Sequence, residues 1–204
     1  STRYFTLFPY TTLFRSRYQG RVRYWEIWNE AALSGERGEW NGTPQDYAYL
    51  LKTAYLAIKA ADPNAQVLFG GLLDEVTWFA SAIWWLKQLP GAGDNDYFFD
   101  ILPIHAYVNP WKSYDRAYEV RGMLPQWKEI WLNESGVPTY NPVGASANEN
   151  EQADYVIQNY VWARAAGVSR IFHFKFADDI HEYAQTWGLV AGKEGSAGTY
   201  PMCS

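Results

Sequence analysis

The chain has 204 residues, a hydrophobic fraction of 48%, a charged fraction of 19% and a net charge of −5. That composition can bury a substantial core and excludes a disordered chain. The charges are mixed in sign without a basic cluster, which argues against nucleic acid or an anionic membrane as partner, and no apolar run reaches the roughly 20 residues that span a bilayer. The single cysteine, Cys203, cannot form an internal disulfide, so the redox compartment and the localisation stay open.

In chain order, residues 6–16 (TLFPYTTLFRS) resemble, residue for residue, the one-frame translation of a common short-read sequencing adapter. Residues 1–16 are therefore expected to be non-native and are set aside as a tag would be, with the coding sequence proper starting near Arg17 and any export signal out of view. Residues 17–195 form the one expected domain, and residues 196–204 an uncertain tail.

Residues 21–29 (RVRYWEIWN) are rich in β-branched and aromatic side chains and predict a strand. A loop with Gly35, Gly38 and Gly42 follows, and then Thr43 caps a helix that has Pro44 in its first position and runs to Ala61. Leu50, Ala54, Ala57 and Ile58 are its expected apolar stripe. Residues 66–72 predict a strand, 76–89 a helix stopped by Pro90-Gly91, 99–107 a strand, 113–126 a helix and 129–133 a strand. Residues 148–166 predict a long helix closed by Gly167 in a left-handed cap, and 170–176 a last strand. Strands alternating with helices in this way mean an α/β fold with parallel strands.

The glycines after the first strand lie in too long and too charged a loop for a dinucleotide-binding turn. Polar residues instead gather at the C-terminal ends of the strands: Asn29-Glu30, His105 and Tyr107, Asn133-Glu134, Lys175 and Asp178. A (β/α)8 barrel carries its active site on that face. A whole barrel needs eight strands in about 250 residues. The five predicted here are a partial TIM barrel, strands four to eight only.

Two carboxylates, Glu30 and Glu134, close different strands at the same end. Glycoside hydrolysis needs such a pair, one to protonate the leaving oxygen and one to attack the anomeric carbon or activate water. A lone Asn-Glu pair at a strand end is more often a cap or a surface pair. Two of them on Trp-rich strands favour catalysis. With 11 Trp and 16 Tyr the chain also has rings to cover sugar faces, although most must serve the core. Trp40, Trp111 and Trp187 fall in predicted loops and are candidate platforms. Glu26 shares strand parity with Glu30 and reads as a structural carboxylate. His173, His181, Asp178 and Asp179 lack metal-ligand spacing, so neither a metal nor a cofactor is expected.

The run Trp25-Glu26-Ile27-Trp28-Asn29-Glu30 resembles the fourth-strand signature of clan A glycoside hydrolases. Ile130-Trp131-Leu132-Asn133-Glu134-Ser135-Gly136 is similar to their seventh-strand nucleophile motif, and residues 100–107 (DILPIHAY) to the sixth strand. Residues 172–179 with Gly188-Leu189 match the eighth strand more loosely. The resemblance covers residues 17–195 and is nearest to families 39 and 5, with an N-terminal truncation. It implies Glu30 as acid/base, Glu134 as nucleophile, Asn29 on the sugar 2-hydroxyl, and His105 and Tyr107 orienting carboxylate or substrate. Trp40, Trp111 and Lys175 complete the expected substrate contacts, and the partner is an oligo- or polysaccharide. Ala31 stands where these families have proline, and Phe174, Lys175 and Phe176 where the eighth strand often ends in tryptophan. The expected function is a retaining glycoside hydrolase acting by double displacement, with this stretch alone inactive and prone to aggregate. The alternative is a barrel that binds carbohydrate without cleaving it.

Overall fold

The computed structural model describes residues 17–33, 40–141, 144–178 and 186–190. The expectations for residues 1–16 and 196–204, and for Gly35, Gly38, Asp179 and His181, lie outside the described residues. The elements are β1 (Tyr24–Glu26), α1 (Pro44–Ala61), β2 (Gln66–Leu68), α2 (Val76–Gln88), β3 (Ile101–Tyr107), α3 (Lys112–Arg121), β4 (Glu129–Gly136), α4 (Glu149–Ala165) and β5 (Arg170–Ile171). The strands follow chain order in one sheet, and the pairings β1–β2, β2–β3 and β4–β5 are parallel. Helices alternate with strands throughout, as a parallel α/β architecture requires. The chain divides into two compact units, residues 1–102 and 103–204, with β3 beginning in the first and ending in the second.

In the first unit, α1 starts where the sequence marks it. Thr43 Oγ1 accepts from the Asp46 amide at 3.1 Å while the Asp46 carboxylate accepts from the Thr43 amide at 2.8 Å. This reciprocal cap satisfies two donors that the helix cannot, and such a cap is worth about 1 kcal/mol. Pro44 occupies the first turn, where no amide is needed. The buried face differs from the expected one: Tyr47, Leu51, Tyr55 and Ile58 are buried, whereas Leu50, Ala54 and Ala57 are only half-buried. Two tyrosines carry the apolar stripe, and their ring bodies outweigh the smaller Ala54 and Ala57. Tyr47 packs on Phe69 and Tyr55 on Phe98, and Phe69 meets Phe79 of α2 and Phe99, in a core that also buries Ile83 and Leu86. Asp100 ties the base of this unit, accepting from the Val67 amide at 2.7 Å and pairing with Lys59 at 2.9 Å.

Regular pairing ends earlier than expected. β1 stops at Glu26, because Trp28 and Glu30 take left-handed backbone at φ 70 and 45. β2 stops at Leu68, although Asn29 still bridges Gly71 in parallel beyond it. β5 keeps two of its seven expected residues; among the described residues beyond it, Ala177 and Val190 form an isolated parallel bridge and Thr186 an antiparallel one with Tyr140. The helix α3 ends at Arg121 rather than 126, since Pro125 bars the preceding residue from helical backbone.

In the second unit, β4 runs past Asn133 to Gly136. Asn148 and Glu151 form the same reciprocal cap at the start of α4, and Gly167 takes φ 78 after its end. The packing face of α4 is polar. Gln152 Nε2 donates to the Val137 carbonyl at 2.9 Å, the Tyr155 hydroxyl to the Ala106 carbonyl at 3.0 Å, and Asn159 Nδ2 to Ser135 Oγ at 3.1 Å. Ile157 and Val161 face outward instead, 67% and 62% exposed. Among the described residues, no helix is long and apolar enough to cross a membrane.

Candidate active site

β3 is buried from Ile101 to Ala106, and its last residue, Tyr107, is half-buried. Successive side chains of a strand point to opposite faces, so His105 and Tyr107 share a face. On β4 the same rule puts Leu132 and Glu134 on one face and Ser135 on the other. The structure brings three of the expected residues together in this unit. The Tyr107 hydroxyl donates to Glu134 Oε2 at 2.5 Å, and Nδ1 of the fully buried His105 stands 3.5 Å from the same oxygen. The first is a short, charge-assisted hydrogen bond. The second is too long for a strong one and acts as an electrostatic contact. The Glu134 side chain remains 28% exposed, which leaves it reachable.

The backbone under Glu134 is held from behind. Ser135 Oγ donates to the Phe172 carbonyl at 2.8 Å and accepts from Asn159. Gly136 leaves no room for a side chain, because a Cβ there would collide with the Phe174 carbonyl oxygen. Around Tyr107 the rings of Trp187 and Phe174 stand 5.2 and 6.1 Å away, both edge-on. Trp187, considered from sequence only as a loop platform, is thus part of the aromatic wall beside Glu134's partner. His173 bonds the Trp187 backbone, and burial pushes its pKa below the ordinary histidine value. The Lys175 ammonium lies 5.6 Å from the Phe174 ring centre, and Trp111 sits just ahead of α3 with 49% of its surface exposed. The peptide between Phe174 and Lys175 is cis.

In the first unit, the residues at the end of β1 are placed by β2 and α1. The Glu30 amide donates to the Gly71 carbonyl at 3.1 Å, and Glu26 Oε1 accepts from the Gly71 amide at 2.8 Å. Glu26 caps a strand-end amide, and it is exposed rather than enclosed. A proline at 31 would push Glu30 toward extended backbone. Ala31 leaves it free to adopt φ 45. The Tyr47 hydroxyl donates to the Ile27 carbonyl at 2.9 Å and accepts from the Gly70 amide at 2.6 Å, so one buried side chain fastens both strand ends. Burial pushes the Tyr47 phenol strongly up, keeping it neutral and able to donate. Asn29 is exposed. Trp40 is half-buried with its Nε1 buried and without a hydrogen-bond partner. The exposed ring at this strand end is Trp28, which sequence reasoning did not single out.

No protein-family model matches the sequence, and no curated protein matches it. Solved structures do. A family 39 β-xylosidase from Caulobacter crescentus superposes with a TM-score of 0.67 at 18% identity, over 88% of this chain and 42% of that one. A family 39 glycoside hydrolase from Bacteroides cellulosilyticus WH2 gives 0.57 at 19% identity, over 88% and 39%. A glucosidase from Croceicoccus marinus gives 0.61 at 17% identity, over 75% and 32%. The fold is that of part of a (β/α)8 barrel. The chain spans less than half the length of each of these three enzymes. At such identities the likeness speaks for the fold, and the chemistry has to be argued from the residues.

Proposed function

We propose that this chain carries the catalytic carboxylates of a retaining glycoside hydrolase acting on an oligo- or polysaccharide, with Glu134 as nucleophile and Glu30 as acid/base. The observation that carries the reading is the placement of Glu134 at the C-terminal end of β4, held by the Tyr107 hydroxyl at 2.5 Å with His105 beside it. A carboxylate with one oxygen fixed by a phenol and the group still partly exposed is oriented for attack rather than for a structural ion pair. The fold supports the same reading, since its catalytic face lies at the C-terminal ends of the strands.

In the first step Glu134 forms an ester with the anomeric carbon while Glu30 gives its proton to the departing glycosidic oxygen. In the second, Glu30 takes a proton from water, the resulting hydroxyl displaces Glu134 from the sugar, and both carboxyl groups return to their starting states. Tyr107 stabilises the free carboxylate and fixes which oxygen is available. Asn29 meets the sugar 2-hydroxyl in this reading. The activity belongs to a longer parent in this reading, and the 204-residue chain alone is inactive and prone to aggregate, as an open sheet is.

The test is hydrolysis of aryl β-glycosides and β-linked oligosaccharides by the parent, with the anomeric form of the first product read by NMR. Retention, with loss of several orders of magnitude in Glu134→Gln, is the expected result. Near-parental turnover in that variant would overturn the assignment. Inverted product would keep the hydrolase and discard double displacement. Binding without turnover on the whole panel would favour the non-catalytic alternative.

A further inference from the structure

In the second unit, α3 and α4 carry a row of rings that the catalytic reading leaves without a task. Trp111 sits just ahead of α3, and Tyr114 and Tyr118 follow it at the three- and seven-residue spacing that shares one helix face. Tyr114 lies nearly parallel to Tyr118, with 7° between their planes and 6.1 Å between their centres, and it meets Trp162 of α4 edge-on at 5.8 Å. Trp111 and Trp162 are exposed, and Tyr118 is 71% exposed. A helix packed on the outside of a fold ordinarily turns polar and charged side chains to water. The seam between α3 and α4 shows indole and phenol instead.

The row runs into a cavity. Asp154, Gln158 and Trp162 stand four residues apart, so one ridge of α4 carries all three. Asp154 and Gln158 line a cavity of about 350 Å³ together with Val108, Asn109, Pro110 and Val137. Ligand pockets occupy about 300–1,000 Å³. Among the described residues, the side chains of Asn109, Asp154 and Gln158 make no hydrogen bond within the protein. Ahead of Asn109, Val108 holds a left-handed backbone at φ 72, an outlier for a β-branched residue.

The groups that meet there decide the ligand class. The Asp154 carboxylate only accepts hydrogen bonds, whereas the Asn109 and Gln158 amides both donate and accept. A cation would satisfy the carboxylate and leave the amide donors unpaired. Glu151, the other acid on the wall, already accepts from the Asn148 amide in the cap of α4. A sugar hydroxyl donates and accepts at once, and the C–H face of the same sugar covers an aromatic ring, whose body is apolar.

We propose that the groove between α3 and α4 is a second, non-catalytic site for a neutral glycan chain. Asn109, Asp154 and Gln158 hold one sugar in the cavity, and the exposed rings of the seam carry the sugars that follow. The site lies on the opposite side of the sheet from the nucleophile. Asn159 of α4 reaches Ser135, whose side chain points away from that of Glu134. The choice of a glycan among polyhydroxyl ligands rests on the glycoside hydrolase reading, but the groove only holds the chain and takes no part in its cleavage.

Affinity electrophoresis through gels holding soluble xylan, mixed-linkage β-glucan or galactomannan tests it. The samples are the 204-residue chain and the longer parent as Glu134→Gln, a background that leaves the polysaccharide intact. Retardation in at least one gel is expected, with the apparent Kd raised fivefold or more by Trp162→Ala and unchanged by Trp84→Ala. Gln158→Ala, an exposed substitution that does not threaten folding, should raise it threefold or more. No retardation in any gel would overturn the proposal, as would equal retardation of the parental protein and a Gln158→Ala/Trp162→Ala double variant. So would saturable binding of octalysine, abolished by Asp154→Asn, in a chain that no polysaccharide retards, because the groove would then belong to a cationic partner. Retardation that depends on Trp162 in a parent that cleaves no glycoside would keep the groove and remove the hydrolase. Aryl glycoside turnover by a parent whose retardation ignores the double substitution would do the reverse.

Discussion

The Tyr107 hydroxyl donates a 2.5 Å hydrogen bond to Oε2 of Glu134, joining the last residue of β3 to the C-terminal part of β4. The contact is fixed from both sides. In front, Trp187 and Phe174 pack edge-on against the Tyr107 ring. Behind, Tyr155 holds the Ala106 carbonyl, Asn159 holds Ser135 Oγ and Gln152 holds the Val137 carbonyl, so one face of α4 fastens the backbone on either side of the pair. Side chains locked by such supporting bonds keep a site within the small tolerance that chemistry needs.

Removing the phenol while keeping the ring isolates this bond. A hydrogen bond to a charged group contributes about 1.5–3 kcal/mol. Tyr107→Phe in the parent should therefore lose on the order of 10- to 100-fold in kcat/KM, with the aromatic wall intact. Turnover of the variant within twofold of parental would show that Tyr107 does not serve Glu134.

The clamp behind the pair can be tested by stability. The Tyr155 hydroxyl reaches the Ala106 carbonyl at 3.0 Å inside the fold, and burial pushes its pKa well above the ordinary tyrosine value. Tyr155→Phe leaves that carbonyl without this donor, at a cost of about 1–3 kcal/mol. The expected readout is a lower urea midpoint with an unchanged slope. An unchanged midpoint would mean that the bond adds nothing net.

The features legible in the sequence are those that a few neighbouring residues decide. Thr43 and Gly167 are local signals, and each takes the capping place expected of it, while Asn148, expected as the first helical residue, caps the helix with Glu151 instead. The alternation of strand and helix, and hence the α/β class, follows in the same way. Glu134, His105 and Tyr107 are nameable because they stand at the C-terminal ends of predicted strands, within motifs that resemble known ones, but their distances depend on how β3 and β4 align, which no single strand contains. Two features ran against the rules used to read them. α4 buries Gln152, Tyr155 and Asn159 and exposes Ile157 and Val161, which inverts hydrophobic periodicity because strand-end backbone groups need partners. Trp28 escaped notice because left-handed backbone breaks the alternation from which its orientation would be read.

Gly136 gives a prediction about space. A Cβ there would meet the Phe174 carbonyl oxygen, a backbone atom that cannot swing aside, and would approach the Trp187 ring to 3.4 Å. Overpacking of this kind costs about 1–3 kcal/mol. Gly136→Ala should lower the melting temperature and, by moving Phe174 and Trp187 off Tyr107, also reduce turnover of the parent. A variant as stable as the parent would show that the segment around Phe174 yields easily.

The last prediction concerns pH. Burial pushes the His173 pKa below its ordinary value, and the bond to the Trp187 backbone offsets this only in part. The folded protein therefore resists protonating a ring that the unfolded chain protonates near pH 6.5. Between that value and the lower folded pKa, the unfolded chain binds more protons, so stability is full above about pH 6.5 and declines as the pH falls through the window. Urea midpoints measured from pH 7.5 to pH 5 should fall more steeply in the parent than in His173→Phe, which has no proton to take up. Because His173 bonds the Trp187 backbone and Trp187 backs Tyr107, the same window should loosen the Tyr107–Glu134 contact, and the proposed glycoside turnover should drop at low pH by an amount that His173→Phe diminishes. Parallel stability profiles in the two proteins would show that His173 titrates alike in the folded and unfolded chains.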